Sequence, residues 1–205
     1  MSIFTNIGKF NPGWKFTIFT ALILPILLSL SFWQYQRGLE KSKLESFINN
    51  QQTKPPTEFI SLEYASPSQW YRPFFMQGEF SKKTVLVDNA IYEGVRGFSV
   101  YQEFLSNNGL SLLVSKGWSN SFDSSKKTLD QNYLLQGVFR PIEKAFTIDN
   151  SIYEREGSDL EMQSFDIDSI NLKWNTNFPA VVFELDEFSL DGFSRICLLY
   201  TSPSP

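Results

Sequence analysis

The chain contains no histidine and one cysteine, Cys197. Without histidine it lacks the commonest metal ligand and the commonest general base. No Ser-His-Asp or Cys-His site can form, and with one cysteine there is no intramolecular disulfide. A basic excess is also missing. The formal net charge is −4 and the sequence pI is near 5.0, which argues against a nucleic-acid partner, since such partners are held through basic patches on phosphates. GVRG, residues 94–97, lacks the spacing of a phosphate loop or dinucleotide fingerprint and reads as a turn between strands. Asp159, Glu161, Asp166 and Asp168 lack calcium-loop spacing and read as a solvated face, so no metal is expected.

What is present is apolar and aromatic. The stretch from Phe16 to Gln36 holds no charged residue, and its length matches the about 20 helical residues that cross a bilayer core. Trp14 precedes it and Trp33 follows it, as in an interfacial aromatic belt. Pro25 in its middle removes one backbone donor and predicts a mild kink. A cleaved signal peptide has a shorter apolar region ending in small residues. This run ends in Phe32-Trp33-Gln34, so the uncleaved anchor is the better reading, and a buried soluble helix the poorer. Charge leaves orientation a near tie, with Lys9 and Lys15 before the span and Arg37, Lys41 and Lys43 after it.

Beyond the span, GLEKSKLESFINNQQ continues as helix until TKPP, residues 53–56, stops it. Short strands rich in aromatic and branched residues follow: YRPFFMQGEF (71–80), KTVLVDNAI (83–91), GFSVYQEFL (97–105), LSLLVSKGW (110–118), NYLLQGVFR (132–140) and PAVVFELDEF (179–188). Phe98, Val100 and Phe104 share one face at period two, as do Val181, Phe183 and Leu185. NNG at 107–109 predicts a hairpin turn. NSFDSSKKTLD reads as a loop and MQSFDIDSINLKW (162–174) as a short helix. With 20 Phe among 205 residues, a β-rich core is expected. The fold class is α+β: an N-terminal transmembrane helix followed by a β-rich antiparallel extramembrane domain, barrel-like or sandwich-like.

Five motifs in order carry a resemblance. The span ends in Trp33-Gln34-x-x-Arg37. YRPFFMQGEF supplies Tyr71, Arg72, Gly78 and Phe80. LVDNAIYEGVRGFSV supplies Asp88, Asn89, Gly94, Gly97 and Phe98. LLVSKGW supplies Gly117 and Trp118, with Ser115 and Lys116 in place of Asn and Arg. LQGVFRP supplies Gly137, Arg140 and Pro141. Together, from about residue 14 to about 188, they resemble the Surfeit locus protein family of cytochrome c oxidase assembly factors.

The resemblance implies a non-enzymatic protein of the bacterial or mitochondrial inner membrane, here read as bacterial. The implied layout is a short cytoplasmic tail (1–15), a transmembrane helix (16–36), a helical extension and linker (37–56), a β-rich periplasmic domain (57–190) and an irregular tail (191–205). It implies assistance to haem–copper oxidase biogenesis through haem a delivery or insertion. The implied partners are the bilayer, the oxidase catalytic subunit and the haem a synthesis machinery. Trp33, Gln34 and Arg37 are then candidate haem contacts: Arg37 to a propionate, Trp33 along the porphyrin or a partner helix. Trp and Arg at a span end are also ordinary interfacial anchors. Tyr71, Arg72, Gly78, Gly97, Phe98, Gly117, Trp118 and Gly137 are the motif's structural residues. The family's second membrane helix, with a nearby His, is expected after the last strand. The terminal CLLYTSPSP continues no pattern and resembles read-through at the end of an assembled sequence. A truncated chain with an incomplete haem site is therefore expected. A membrane-tethered binding module for another envelope protein shares the same anchor and β domain and stays open.

Overall fold

The structure, a computed structural model, describes residues 13–121, 132–142, 152–154 and 159–186. The first twelve residues, most of the loop NSFDSSKKTLD, Cys197 and the segment 191–205 lie outside the described residues. The chain divides into two units, residues 1–47 and 48–205.

The first unit is dominated by one long helix, α1, Trp14–Gln52, whose last turn belongs to the second unit. Good helix formers fill it, and a single proline, Pro25, interrupts its donors. Between Trp14 and Phe32 its apolar side chains are exposed around the whole circumference, Phe16, Phe19, Leu22, Ile26 and Leu30 among them. A helix that is apolar all round is either buried in protein or set in lipid. None of its apolar window is buried in this chain, so α1 is a candidate transmembrane helix. At about 1.5 Å per residue it is far longer than a bilayer core is thick, and charged residues begin at Arg37.

The second unit is a small barrel. Its strands are β1 Thr57–Glu58, β2 Pro73–Tyr92, β3 Val95–Ser106, β4 Ser111–Ser119, β5 Tyr133–Pro141, β6 Ile152–Glu154, β7 Leu160–Met162 and β8 Val181–Leu185, with helix α2, Ile167–Trp174, before β8. The order β2-β3-β4-β8-β5 returns to β2, which closes the sheet. Closure removes the open edges that an aromatic-rich sheet would otherwise present. Most pairings are antiparallel; β1–β2, β2–β7 and β4–β8 are parallel.

Two strands expected around residues 71–80 and 83–91 are one. β2 runs through Ser81-Lys82-Lys83 and absorbs them as a register shift between Phe80 and Thr84, with a second between Val87 and Ala90. Such bulges bend a long strand and increase its twist, which lets β2 serve both halves of the barrel. Its first half pairs with β5 and its second with β7, while β3 follows its other side. The turn expected at GVRG falls one step earlier. Glu93 and Gly94 have φ of 49° and 79°, the pair of positive values a two-residue hairpin needs, and Val95 to Gly97 already belong to β3. The NNG turn ends on Gly109 with φ 78°, whose N–H donates to the Ser106 carbonyl at 2.8 Å.

The barrel interior is packed with rings. Phe59, Phe74, Phe104, Phe139 and Phe183 are fully buried, and Phe139 lies 4.7 Å from Phe59 and 5.0 Å from Phe183 between ring centroids. A second core forms where α2 packs on the barrel's outer face, with Ile167 and Ile170 against Val85, Leu113, Leu160 and Phe178. The helix expected over 162–174 begins only at Ile167, because Met162 closes β7 and Asp166 caps α2 by accepting from the Asp168 N–H. The acidic stretch is a solvated face only in part, with Asp168 exposed. Asp159 is buried, and Asp166 also accepts from the Ser169 hydroxyl at 2.6 Å.

Candidate functional site

Two groups of residues emerge from the motifs, and each is described within its own unit. On α1, one helical turn brings Trp33 and Arg37 together, as i,i+4 spacing requires. The Arg37 guanidinium carbon stands 5.6 Å from the Trp33 ring centroid, a cation–π contact. Trp33 is 45% exposed, Arg37 is half-buried and Gln34 is exposed. An indole face beside a planar, permanently charged fork can flank an apolar ring that carries a carboxylate. Were haem a the ligand, Arg37 would supply a cation for a propionate and Trp33 an apolar surface. They offer no imidazole to iron, since the chain has no histidine.

In the barrel the motif residues hold the backbone together. Tyr71 has φ 65° and its N–H donates to the Phe139 carbonyl at 2.8 Å, which turns the chain into β2. Arg72 is spread between neighbours: Nη1 donates to Gln69 Oε1 at 3.2 Å, Nη2 to Thr57 Oγ1 at 2.7 Å, and its guanidinium lies over the Phe74 ring at 5.7 Å. Its buried Nε has no hydrogen-bond partner among the described residues.

The glycines mark close approaches. A Cβ on Gly78 would meet the Leu105 carbonyl, and one on Gly137 the Glu184 carbonyl and the Phe183 ring. A Cβ on Gly97 would meet the Ser119 carbonyl and the Trp118 indole. Gly117, with φ 109°, sits in a bulge of β4 opposite Val100 and Tyr101. Trp118, 9% exposed, thus fills the space over Gly97. Its Nε1–H donates to the Ala90 carbonyl at 2.9 Å, and Tyr92 packs on it at 5.4 Å. Phe98 is half-buried.

A polar cluster was not anticipated. Lys116 is only 6% exposed. Its Nζ donates to Gln102 Oε1 at 2.8 Å and stands 5.0 Å from the Phe80 ring centroid. Gln102 in turn donates to the Ser81 carbonyl at 2.6 Å. Burial lowers the Lys116 pKa to about 8, because the charged form gives up its hydration. Nearby, Glu103 accepts from Ser81 Oγ at 2.7 Å and Ser111 Oγ at 2.8 Å. Lys83 Nζ stands 3.5 Å from the same carboxylate. On the outer face Arg140 Nε lies 2.9 Å from Glu184 Oε2, as an ion pair without hydrogen-bond alignment. Burial raises the Tyr101 pKa, with Arg140 opposing the shift and Glu184 adding to it. The signal for Lys116 was in the alternation: Leu112, Val114 and Lys116 share a parity, and Gln102 shares one with Val100 and Phe104.

Among the described residues no group of three or more His, Cys, Asp or Glu is placed to hold a metal. Comparison with curated proteins finds no match. The family comparison finds the SURF1 family over residues 21–196, which takes in most of α1, the whole described barrel and all five motifs. The chain therefore belongs to the SURF1 family, a family of cytochrome c oxidase assembly factors rather than catalysts.

Proposed function

We propose that this protein is a membrane-anchored assembly factor for haem–copper oxidase that assists delivery or insertion of haem a into the catalytic subunit. In this reading α1 crosses the bacterial inner membrane with the N-terminus in the cytoplasm, and the barrel stands on the periplasmic side. The partners are the catalytic subunit and the haem a synthesis machinery. The observation that carries the reading is the family match over residues 21–196, which joins the apolar helix and the barrel in one unit of descent. The Trp33–Arg37 pair supports the haem a part: a fork-shaped cation beside an indole face suits a propionate on a flat apolar ring.

The test is affinity purification of the full chain from detergent-solubilised membranes of cells that make haem a. The expected result is recovery of the oxidase catalytic subunit together with a haem a absorbance spectrum. Arg37→Gln should lower haem recovery at unchanged protein level, and Arg37→Lys should rescue only in part, because Lys keeps the charge and loses the planar fork. Equal haem content in all three versions would remove Arg37 from the site and leave it an interfacial anchor. Recovery of an unrelated envelope protein without oxidase subunits would replace the assembly reading with a tethered binding module.

A further inference from the structure

The barrel is closed by five pairings of very unequal strength. β2–β3 is held by ten residue pairs, β3–β4 by eight, β2–β5 by six and β5–β8 by five. Among the described residues, β4–β8 is held by two, Val114 with Phe183 and Ser115 with Glu184. It is also the one parallel pairing in the closed ring, and parallel ladders are slightly weaker per residue.

The cause is local. Directly after Ser115, β4 bulges at Lys116 and Gly117, where Gly117 has φ 109°, and its pairing with β8 stops at Ser115. From Gly117 to Ser119 its register is with β3. On the other side, β8 is tied to β5 along its whole length. The Arg140–Glu184 ion pair adds to the same attachment. β8 is therefore tied chiefly to β5, and β4 chiefly to β3.

We propose that the barrel has a built-in opening at the β4–β8 seam, where it parts as a local, reversible event without unfolding. Local openings favour the route that breaks the fewest backbone hydrogen bonds. Separation here breaks the shortest ladder in the ring and leaves the four others intact. It uncovers Val114 and Phe183, both fully buried when closed, and the rings of Phe139 and Phe104 behind them. The opening stands apart from the haem reading: it rests on strand register alone.

Residue-resolved hydrogen exchange on the full chain in detergent micelles tests it. Amides that face across the β4–β8 seam should exchange at least about tenfold faster than those between β2 and β3 or between β5 and β8. A second arm uses Ser115→Cys with Glu184→Cys in a Cys197→Ser background. The two positions are register partners, at a separation a disulfide spans. Oxidation should slow exchange across the seam, and reduction should restore it. Seam amides that exchange no faster than the rest of the ring would overturn the proposal, whether or not the disulfide variant folds. Faster wild-type exchange that an established disulfide leaves unchanged would overturn it as well.

Discussion

Lys116 gives the sharpest physical test of the barrel. Its ammonium group is enclosed beside Phe80 and Gln102, and burial lowers its pKa from 10.5 to about 8. The unfolded chain keeps the ordinary value. Between the two values the unfolded state therefore binds more protons than the folded one, and stability rises with pH across that window. The contribution is complete above 10.5 and is lost as pH falls through 8. A displacement of this size corresponds to about 3 kcal/mol in total, most of which develops between pH 7 and pH 10. Lys116→Met keeps an unbranched apolar stem and removes the charge. Replacing a buried charged group with a well-packed apolar one is often neutral or stabilising, so the variant should equal or exceed the wild type at pH 7. The wild type should then gain on it by about 2–3 kcal/mol at pH 10. The assay is denaturant unfolding of the full chain in micelles at both pH values, followed by tryptophan fluorescence. The wild-type-minus-variant difference cancels other titrating groups, Tyr101 included. A difference that does not change with pH would show that Lys116 keeps its ordinary pKa and is solvated, against the enclosed position described here.

Trp118→Ala should destabilise the barrel by about 3–5 kcal/mol, and Trp118→Phe by less, since it keeps a ring over Gly97 but abandons the Ala90 carbonyl; unchanged denaturation midpoints would place the indole on the surface. Gly137→Ala should cost at least about 1–3 kcal/mol through the clash with the Glu184 carbonyl, whereas Gly38→Ala, with nothing within 4 Å of the added Cβ, should leave barrel unfolding unaltered in the same titration. Arg72→Lys should cost about 1–2 kcal/mol by losing the fork shared between Gln69 and Thr57, which a matched chemical-denaturation pair measures. A topology reporter fused after residue 60 should be active only outside the cytoplasm, and cytoplasmic activity would reverse the orientation given to α1.

The α+β class, the single long apolar helix and the principal barrel strands were legible because each is local. Period-two alternation marks β3, β4, β5 and β8, and the uncharged stretch marks α1. What escaped was set by contacts distant in sequence. Ser81-Lys82-Lys83 has the composition of a turn, yet β3 lies alongside and holds it as a bulge in one long β2. The parallel pairings β2–β7 and β4–β8 join segments more than sixty residues apart, and no local pattern encodes their register. β6 and β7 are three residues each, too short to show alternation. Lys116 and Gln102 obey the inward parity of their strands, but their polarity argues for the outside. Burial won because each supplies the other's hydrogen bond within a wall of rings.

The motif itself now divides by role. Gly78, Gly97 and Gly137 stand where a Cβ would strike a neighbouring carbonyl, and Gly117 where the backbone takes a positive φ. Trp118 fills the space that Gly97 leaves, and Arg72 braces the entry to β2. These residues report that the chain can close this barrel. A family resemblance built mainly on them is therefore strong grounds for the fold and thinner grounds for chemistry. The one motif element free of that structural duty is Trp33-Gln34-x-x-Arg37, on a helix where Trp33 and Gln34 are exposed and Arg37 is half-buried. Nothing in helix formation requires an arginine stacked on a tryptophan at that turn. The pair is thus the part of the motif that a partner or ligand, or the membrane boundary itself, must explain.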